Sequence, residues 1–238
     1  MKNPVLFDSR VLAFRGVEFP GADNDFLIWQ LADSAFPSGG FAHSSGLEAA
    51  WQYGEVNNTA ELVSFMERSL EQAGRGSFPF VTATHDEPEE AGELDRLCDA
   101  FLSSHVANRA SRLQGRSFLS SCGKIFRSPG MEASAKRFTV GHFAPAVGAV
   151  TRVLGVSRAG AARLFLFQHL RGLVAGAVRL GIVGPMEGQS LQFRLAPRLQ
   201  SVLAECENLA ISEVAQTAPL LELWQGGQDR LYSRLFQS

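Results

Sequence analysis

Residues 26–55 read FLIWQLADSAFPSGGFAHSSGLEAAWQYGE and place a Pro-Ser-Gly-Gly loop between two apolar stretches with helical composition. Gly39 and Gly40 can adopt the positive φ values that other residues avoid, and Pro37 fixes the backbone at the start of the turn. The chain then continues through small residues to Glu48, whose carboxylate complements the dipole of a helix in its early turns. The stretch therefore predicts a helical protein with a loop of specific shape at residues 37–40, which we call the glycine loop.

Length and composition predict one domain, or at most two, around a large core. The 238 residues are 45% hydrophobic and 19% charged. Residues 1–19 mix charges into apolar positions and lack a signal-peptide core. The longest apolar run, residues 159–183, is interrupted by three arginines and a histidine, which are costly inside a bilayer. We therefore expect a soluble, cytoplasmic protein with no membrane partner.

Cysteine and histidine spacing predicts no metal site within any local segment. Cys98, Cys122 and Cys206 are far apart and form no Cys-x-x-Cys pattern, which favours reduced, structural thiols. The five histidines never occur as His-x-His or four residues apart on one helix. A site assembled across the fold or across a subunit interface stays open, because spacing does not test it.

Charge is unevenly distributed along the chain. Residues 1–106 carry a charge of −11, residues 107–200 carry +12, and residues 201–238 carry −3. Acidic and basic helices that neutralise each other locally explain this as well as a charged face for a protein partner does. Nucleic acid is a weaker candidate, because the basic residues occur singly along apolar helices without interleaved stacking aromatics.

Apolar residues recur at helical spacing through most of the chain, and convincing strand alternation is absent. Asn58 and Glu61 resemble a capping box that begins a helix, which Gly74 and Gly76 are predicted to end. A second run begins at Pro88 and continues to about Ile125, where Ser128-Pro129-Gly130 breaks it. Three more helices are predicted over residues 143–154, 158–183 and 187–214. The fold class is therefore all-α, a single-domain bundle of roughly eight to ten helices.

Small residues within the predicted helix 158–183 allow another helix to approach closely. Gly172 and Gly176 are four residues apart on one face. A tightly packed monomer core explains this pattern, and the alternative is a dimer contact through Gly172 and Gly176.

One segment resembles a catalytic motif. Ala42-His43-Ser44-Ser45-Gly46 is similar to a variant of the hydrolase nucleophile elbow, with Gly39 and Gly40 as an oxyanion loop. The elbow requires a strand immediately before the serine, whereas the glycine loop precedes it here. The only Gly-Lys pair, Gly123-Lys124, lacks the other residues of a phosphate loop, so we expect no GTP binding by this chain alone.

Four ordered blocks from Leu27 to the last residue resemble the urease accessory protein UreF family. The first is the stretch around the glycine loop, and the second is Asn108–Arg116, NRASRLQGR. The third is His142–Gly148, HFAPAVG, and the fourth is Ala177–Gly181, AVRLG, followed by two Gly-containing turns. The chain ends in RLFQS, residues 234–238, as family members commonly do.

The resemblance implies an all-helical, dimeric, non-catalytic chaperone of urease maturation. Members of the family bind the accessory protein UreD, also called UreH, recruit the GTPase UreG, regulate it, and deliver nickel to apo-urease. The implied partners are thus a UreD/UreH-like protein, a UreG-like GTPase and apo-urease, with no nucleic acid. No cofactor is expected on this chain itself, because nickel and GTP are handled by the complex. A serine hydrolase and a helical DNA-binding regulator are the alternatives.

The predicted organisation has three parts: an N-terminal extension that can be flexible (residues 1–25), a helical domain (26–216) and a partner-docking tail (217–238). Gln228 departs from the resemblance, which leads us to expect histidine there. We expect the last residues to order only on a UreD-like partner, since Tyr and Arg are enriched in interface hot spots, and the alternative is that they dock on the chain's own core. The predicted partner-binding residues are Ser38, Gly39, Gly40, Phe41, His43, Arg179, Arg230, Tyr232, Arg234, Leu235 and Phe236.

Overall fold

The computed structural model describes residues 25–238, which form an all-helical fold around one hydrophobic core. No strand occurs in this part of the chain, so the predicted fold class is confirmed. The N-terminal extension predicted for residues 1–25 lies almost entirely outside the described residues. The helices are α1 (Asp25–Ala32), α2 (Leu47–Gln52), α3 (Thr59–Gln72), α4 (Phe78–Asp86), α5 (Ala91–Phe101), α6 (His105–Ile125), α7 (Pro129–Ala135), α8 (Phe143–Val153), α9 (Arg158–Arg179), α10 (Pro185–Arg194), α11 (Ala196–Cys206) and α12 (Pro219–Gly227).

The centre of the fold is the contact between α4 and α8, with α9 packed against both. Gly148 in α8 makes the close approach to α4 feasible, because a Cβ atom at this position would lie 2.3 Å from the main-chain oxygen of Val81. Phe78 and Phe80 of α4 are both buried. The helix α4 was absent from the sequence-based prediction, because it is buried nearly all round and therefore shows no amphipathic period.

Several predicted helix boundaries are wrong, and helix packing or capping explains the differences. The glycines after α3 do not end the helix: residues Ala73–Ser77 form a π-helical segment that leads directly into α4. A Cβ on Gly74 would lie 2.4 Å from Val202 Cγ1, so this glycine is needed for the contact with α11. The run 88–125 is divided between α5 and α6 at Ser104, whose hydroxyl accepts the N-cap hydrogen bond from Ala107 N–H.

The predicted helix 187–214 is also two helices, α10 and α11, which meet at Leu195, two residues before Pro197. The short helix α7 begins within the predicted break, because Ser128 caps it and Pro129 suits its first position. At α3, Glu61 N–H donates to the Asn58 side chain as a capping box predicts. The Glu61 carboxylate, however, accepts from the N–H of Asn57.

Helix α9, 22 residues long, connects most of the other elements and contains the apolar run singled out in the sequence as far as Arg179. The predicted end at residue 183 is wrong, because the chain turns at Gly181, which has a φ of 72°. Its contacts extend to α1, α2, α3, α4, α8, α10 and α11. No helix in the described part of the chain combines the length and apolarity that a membrane span requires.

Candidate functional site

The glycine loop is held against α6 by a single carbonyl. The hydroxyls of Ser117 and Ser121 both donate to the main-chain oxygen of Pro37, at 3.1 and 2.9 Å. Gly39 has a φ of 78°, as predicted, whereas Gly40 is not among the residues with positive φ and begins a short 3-10 turn. Gly40 is constrained by space instead, since a Cβ there would lie 2.7 Å from Gln114 Nε2.

The backbone after the loop turns sharply a second time, where it meets the C-terminal tail, residues 217–238. Ser45 and Gly46 have φ values of 54° and 87°. A Cβ on Gly46 would lie 3.0 Å from Gln225 Cγ, so α12 packs directly on this turn. The tail therefore rests on the same segment that the sequence marks as most distinctive.

The buried carboxylate of Glu48 holds the tail in place. Its oxygens accept from Leu235 N–H at 2.6 Å, from Phe236 N–H at 3.2 Å and from Gln228 Nε2 at 2.5 Å. Glu48 is 1% exposed and Gln228 is fully buried. Burying a carboxylate is costly unless hydrogen bonds satisfy it, so these three donors make the docked tail part of the folded structure.

Arg179, at the end of α9, joins the tail to the segment after the glycine loop. Its guanidinium lies 4.0 Å from the ring centroid of Phe41 and 4.2 Å from that of Phe236. It also donates to the main-chain oxygens of Phe41, at 2.6 Å, and Leu235, at 3.3 Å. A guanidinium suits this place because its flat faces stack on rings while its edges donate hydrogen bonds.

A charged cluster fixes the tail to α6. The carboxylate of Asp229 accepts from Arg109 at 2.7 Å, from Arg234 at 3.2 Å and lies 3.2 Å from His105 Nε2. The Arg109 hydrogen bond is the main cause that lowers the pKa of Asp229. The side chains are partly exposed, so this cluster contributes orientation more than stability.

His43 and Ser44 meet the last residue of the chain. Ser44 N–H donates to the main-chain oxygen of Ser238 at 2.6 Å, and His43 Nδ1 shares a hydrogen bond of 2.5 Å with Ser238 Oγ. Burial, with a smaller contribution from the charge of Arg109, lowers the pKa of His43 to about 4. His43 is therefore neutral at pH 7.

The nucleophile-elbow interpretation finds no support in this arrangement. Ser44 is 1% exposed, and its hydroxyl has no hydrogen-bond partner among the described residues. His43 is paired with Ser238 and not with Ser44. A serine that is inaccessible and lacks an adjacent base has neither requirement of an activated nucleophile.

A cavity of about 610 Å³ lies between the glycine loop, α6, α9 and the tail; we call it the α9 cavity. Gly172 and Gly176, predicted to form a dimer contact, both line it. Gly176 is covered within the chain, where its added Cβ would meet Leu47 and Phe236 at ordinary contact distance. The dimer stays a prediction, and Gly176 offers no exposed helix face for it.

The structure brings most of the predicted partner-binding residues together. Some of them form a buried inner layer and the others an exposed outer layer. Ser38 and Phe236 are buried, whereas Phe41, Tyr232 and Leu235 are 69%, 105% and 59% exposed. The expectation that the tail orders only on a partner is wrong for this structure, because Glu48 and Arg179 dock it on its own chain. Sequence reasoning missed Glu48 in this role, and the available signal was a carboxylate inside a small apolar run. The exposed outer layer also includes Arg230 and Arg234.

The described residues contain no group of three His, Cys, Asp or Glu side chains that could hold a metal ion. His169, for example, is paired with a serine and not with another metal-binding side chain: its Nε2 lies 2.9 Å from Ser69 Oγ, and burial lowers its pKa to about 4. The three cysteines are buried and separate, and burial raises the pKa of each. The expectation of reduced, structural thiols fits their positions.

Comparison with known proteins places these features in a family. The family model described as UreF matches residues 56–196. Urease accessory protein F of Arabidopsis thaliana is 35% identical over 218 residues, 88% of this chain and 91% of the relative. Urease accessory protein F of Oryza sativa subsp. japonica is 34% identical over 216 residues, 87% of this chain and 83% of the relative. UreF of Xanthobacter autotrophicus is 29% identical over 213 residues. The chain belongs to the UreF family of urease accessory proteins.

Proposed function

We propose that this chain is an accessory protein of urease maturation that acts as a non-catalytic chaperone. Its relatives carry the name urease accessory protein over more than four fifths of this chain. Ser44 is buried without a hydrogen-bond partner, and the described residues contain no group of three His, Cys, Asp or Glu side chains that could hold a metal ion. In this proposal the chain works by binding other proteins, while nickel and GTP are handled by the complex and not by a cofactor site of its own.

The observation that carries the proposal is an exposed surface formed by two residues of the docked tail, Tyr232 and Leu235, and two residues of the segment that the tail docks on, Phe41 and Tyr53. We call these four residues the tail patch. Tyr53 is 50% exposed, and the other three are more exposed still. Tyr53 belongs to the same surface because its hydroxyl donates to the main-chain oxygen of Gly227 in the tail. Exposed apolar side chains grouped in this way, with aromatic residues prominent among them, are typical of protein interfaces.

Buried contacts hold the backbone of the tail patch in place, as a binding surface requires. Glu48 and Arg179 fix the backbone at Leu235 and Phe236, so the outward side chains lose little conformational freedom when a partner covers them. We propose that a UreD/UreH-like protein covers the patch. The resulting platform recruits and regulates a UreG-like GTPase and meets apo-urease, and the chain itself is a homodimer.

Co-purification tests this proposal. The double variant Tyr232→Ala, Leu235→Ala removes two exposed side chains without touching Glu48 or Arg179. We expect it to keep the melting temperature of the unsubstituted chain and to lose at least about tenfold in affinity for a UreD-like protein. Phe193→Ala is the matched control, since Phe193 is 82% exposed on α10. Equal capture of both variants would place the partner elsewhere.

The homodimer has its own test. Light scattering of the isolated chain at micromolar concentration is expected to give twice the mass of 25.8 kDa. A monomer at that concentration contradicts the dimer without affecting the tail patch.

A further inference from the structure

The α9 cavity has the size and lining of a small-molecule site. Its volume of about 610 Å³ lies within the range of roughly 300–1,000 Å³ that is typical of ligand pockets. Phenylalanines from four separate elements contribute to the wall: Phe36, Phe101, Phe143 and Phe165. An apolar body placed there would leave water for an aromatic environment, which is favourable in proportion to the area covered.

The charged side chains that line the cavity are Arg171, Arg179 and a single carboxylate, Glu222. His43 and His169 also line it, but burial holds both neutral at pH 7. Neither arginine takes part in any ion pair among the described residues. The charge of Asp33 also acts on Arg171, and Ser238 lines the cavity too, so the preference for an anion rests on the donors of Arg171 and not on the overall charge of the wall.

Arg171 is the cation with unused capacity. Its Nη1 donates to the main-chain oxygen of Ala32, the one hydrogen bond that the guanidinium makes within residues 25–238. A guanidinium has five N–H donors in a planar fork that matches a carboxylate. Burial lowers the pKa of Arg171, so a carboxylate beside it would offset an existing cost of desolvation.

The helix backbone gives a ligand room beside Arg171. A Cβ built on Gly172 meets no atom within 4 Å, and Gly172 lines the cavity. Ala175 and Gly176 continue the same small-residue face toward Arg179. The space is open for a ligand at Gly172, whereas Leu47 and Phe236 cover the face at Gly176.

We propose that the α9 cavity binds a small amphipathic carboxylate, in which an aromatic or alkyl body lies against the phenylalanines and the anionic group pairs with Arg171. The cavity and the tail patch share Phe41, but Tyr232 and Leu235, the two residues replaced in the partner test, do not line the cavity, so the two proposals are tested separately. A ligand bound here would contact the glycine loop and the end of the tail at once, and so would stabilise their docked arrangement.

Isothermal titration calorimetry with three probes of equal length tests the chemical class. 6-Phenylhexanoate, 6-phenylhexan-1-ol and 6-phenylhexan-1-amine share a phenyl ring on a six-carbon chain, whose last carbon is the carboxyl carbon in the acid and carries the hydroxyl or amino group in the other two. We expect saturable one-to-one binding of phenylhexanoate, with the alcohol and the amine at least about tenfold weaker, since hydrogen bonds to charged groups are strong. Equal affinity for all three, or no binding of phenylhexanoate, overturns the proposal.

Two pairs of variants locate the binding. Gly172→Leu fills the cavity from an open position and is expected to abolish the titration while keeping the melting temperature. Gly123→Leu, at a glycine in the last turn of α6 with no atom within 4 Å of its added Cβ, is expected to bind as before. Arg171→Gln is expected to lose the preference for the carboxylate over the alcohol, whereas Arg171→Lys keeps it. Unchanged binding by Gly172→Leu, or an unchanged preference in Arg171→Gln, contradicts the assigned site.

Discussion

Glu48 binds the main-chain N–H of Leu235 across 187 residues of sequence, with a hydrogen bond of 2.6 Å. The carboxylate lies in a helix of six residues, between Leu47 and Ala49, which are fully buried. The same carboxylate also accepts from Phe236 N–H and Gln228 Nε2, so three donors of the tail share one buried acceptor. The tail patch is therefore a consequence of the sequence around the glycine loop as much as of the tail itself.

Replacing Glu48 by Gln should release the tail. The amide presents an NH₂ group toward donors that now need an acceptor, and an unsatisfied buried donor costs about 1–3 kcal/mol. We expect amide exchange at Leu235 and Phe236 to accelerate by at least about tenfold. Glu55→Gln, at an exposed carboxylate nearby, should leave the exchange unchanged. Unaltered protection in Glu48→Gln would show that other contacts hold the tail.

Arg179→Lys should also weaken the docking of the tail, through its contact with the segment after the glycine loop. Lysine keeps the charge but cannot stack flat on Phe41 and Phe236 while donating to two carbonyls, so the expected loss is about 1–2 kcal/mol. The N–H of Gln237, which donates to Ala42, reports on this junction. Its exchange should become faster, whereas amides in the buried helix α4 keep their protection. If the lysine variant protects Gln237 fully, charge alone accounts for the contribution of Arg179.

The two loop glycines should respond differently to alanine. Gly39→Ala places a side chain at a φ of 78°, beside Ser117 Cβ at 3.2 Å, and should cost at least about 1 kcal/mol in the free energy of unfolding. Gly40→Ala meets only the flexible end of Gln114 and should cost less. Urea denaturation of the two variants measures the difference. The reverse order would mean that space, and not φ, constrains this loop.

Stability should fall as the pH is lowered from 6.5 toward 4. His43 and His169 have folded-state pKa values of about 4, below the ordinary value of 6.5, so in this window the unfolded chain binds protons that the folded chain does not. Above pH 6.5 both groups are neutral in both states and contribute no slope. Urea midpoints measured across this range should decline less steeply in His43→Gln. The same slope in the variant and the unsubstituted chain would assign the acid sensitivity to other groups.

The helical class could be predicted from the sequence because amphipathic segments such as Thr59–Gln72 carry their own period. Helix α4 could not, since a helix buried nearly all round has no polar face to define its period. The site likewise has one feature that the sequence predicts and one that it does not. The positive φ of Gly39 follows from its residue type, but the pairing of Glu48 with the tail is a tertiary contact that no local pattern encodes. Without knowledge of the Glu48 contact, the sequence of the tail is typical of a segment that needs a partner to become ordered, which is why disorder is predicted for it.

Reconstitution of urease tests the central claim most directly. Apo-urease is incubated with nickel, GTP, and UreD-like and UreG-like proteins, with this chain, without it, or with the variant Tyr232→Ala, Leu235→Ala. We predict that urea hydrolysis and nickel content of the urease rise only with the unsubstituted chain, while the control Phe193→Ala restores both. Full activation in the absence of the chain, or equal activation by the tail-patch variant, would contradict the account.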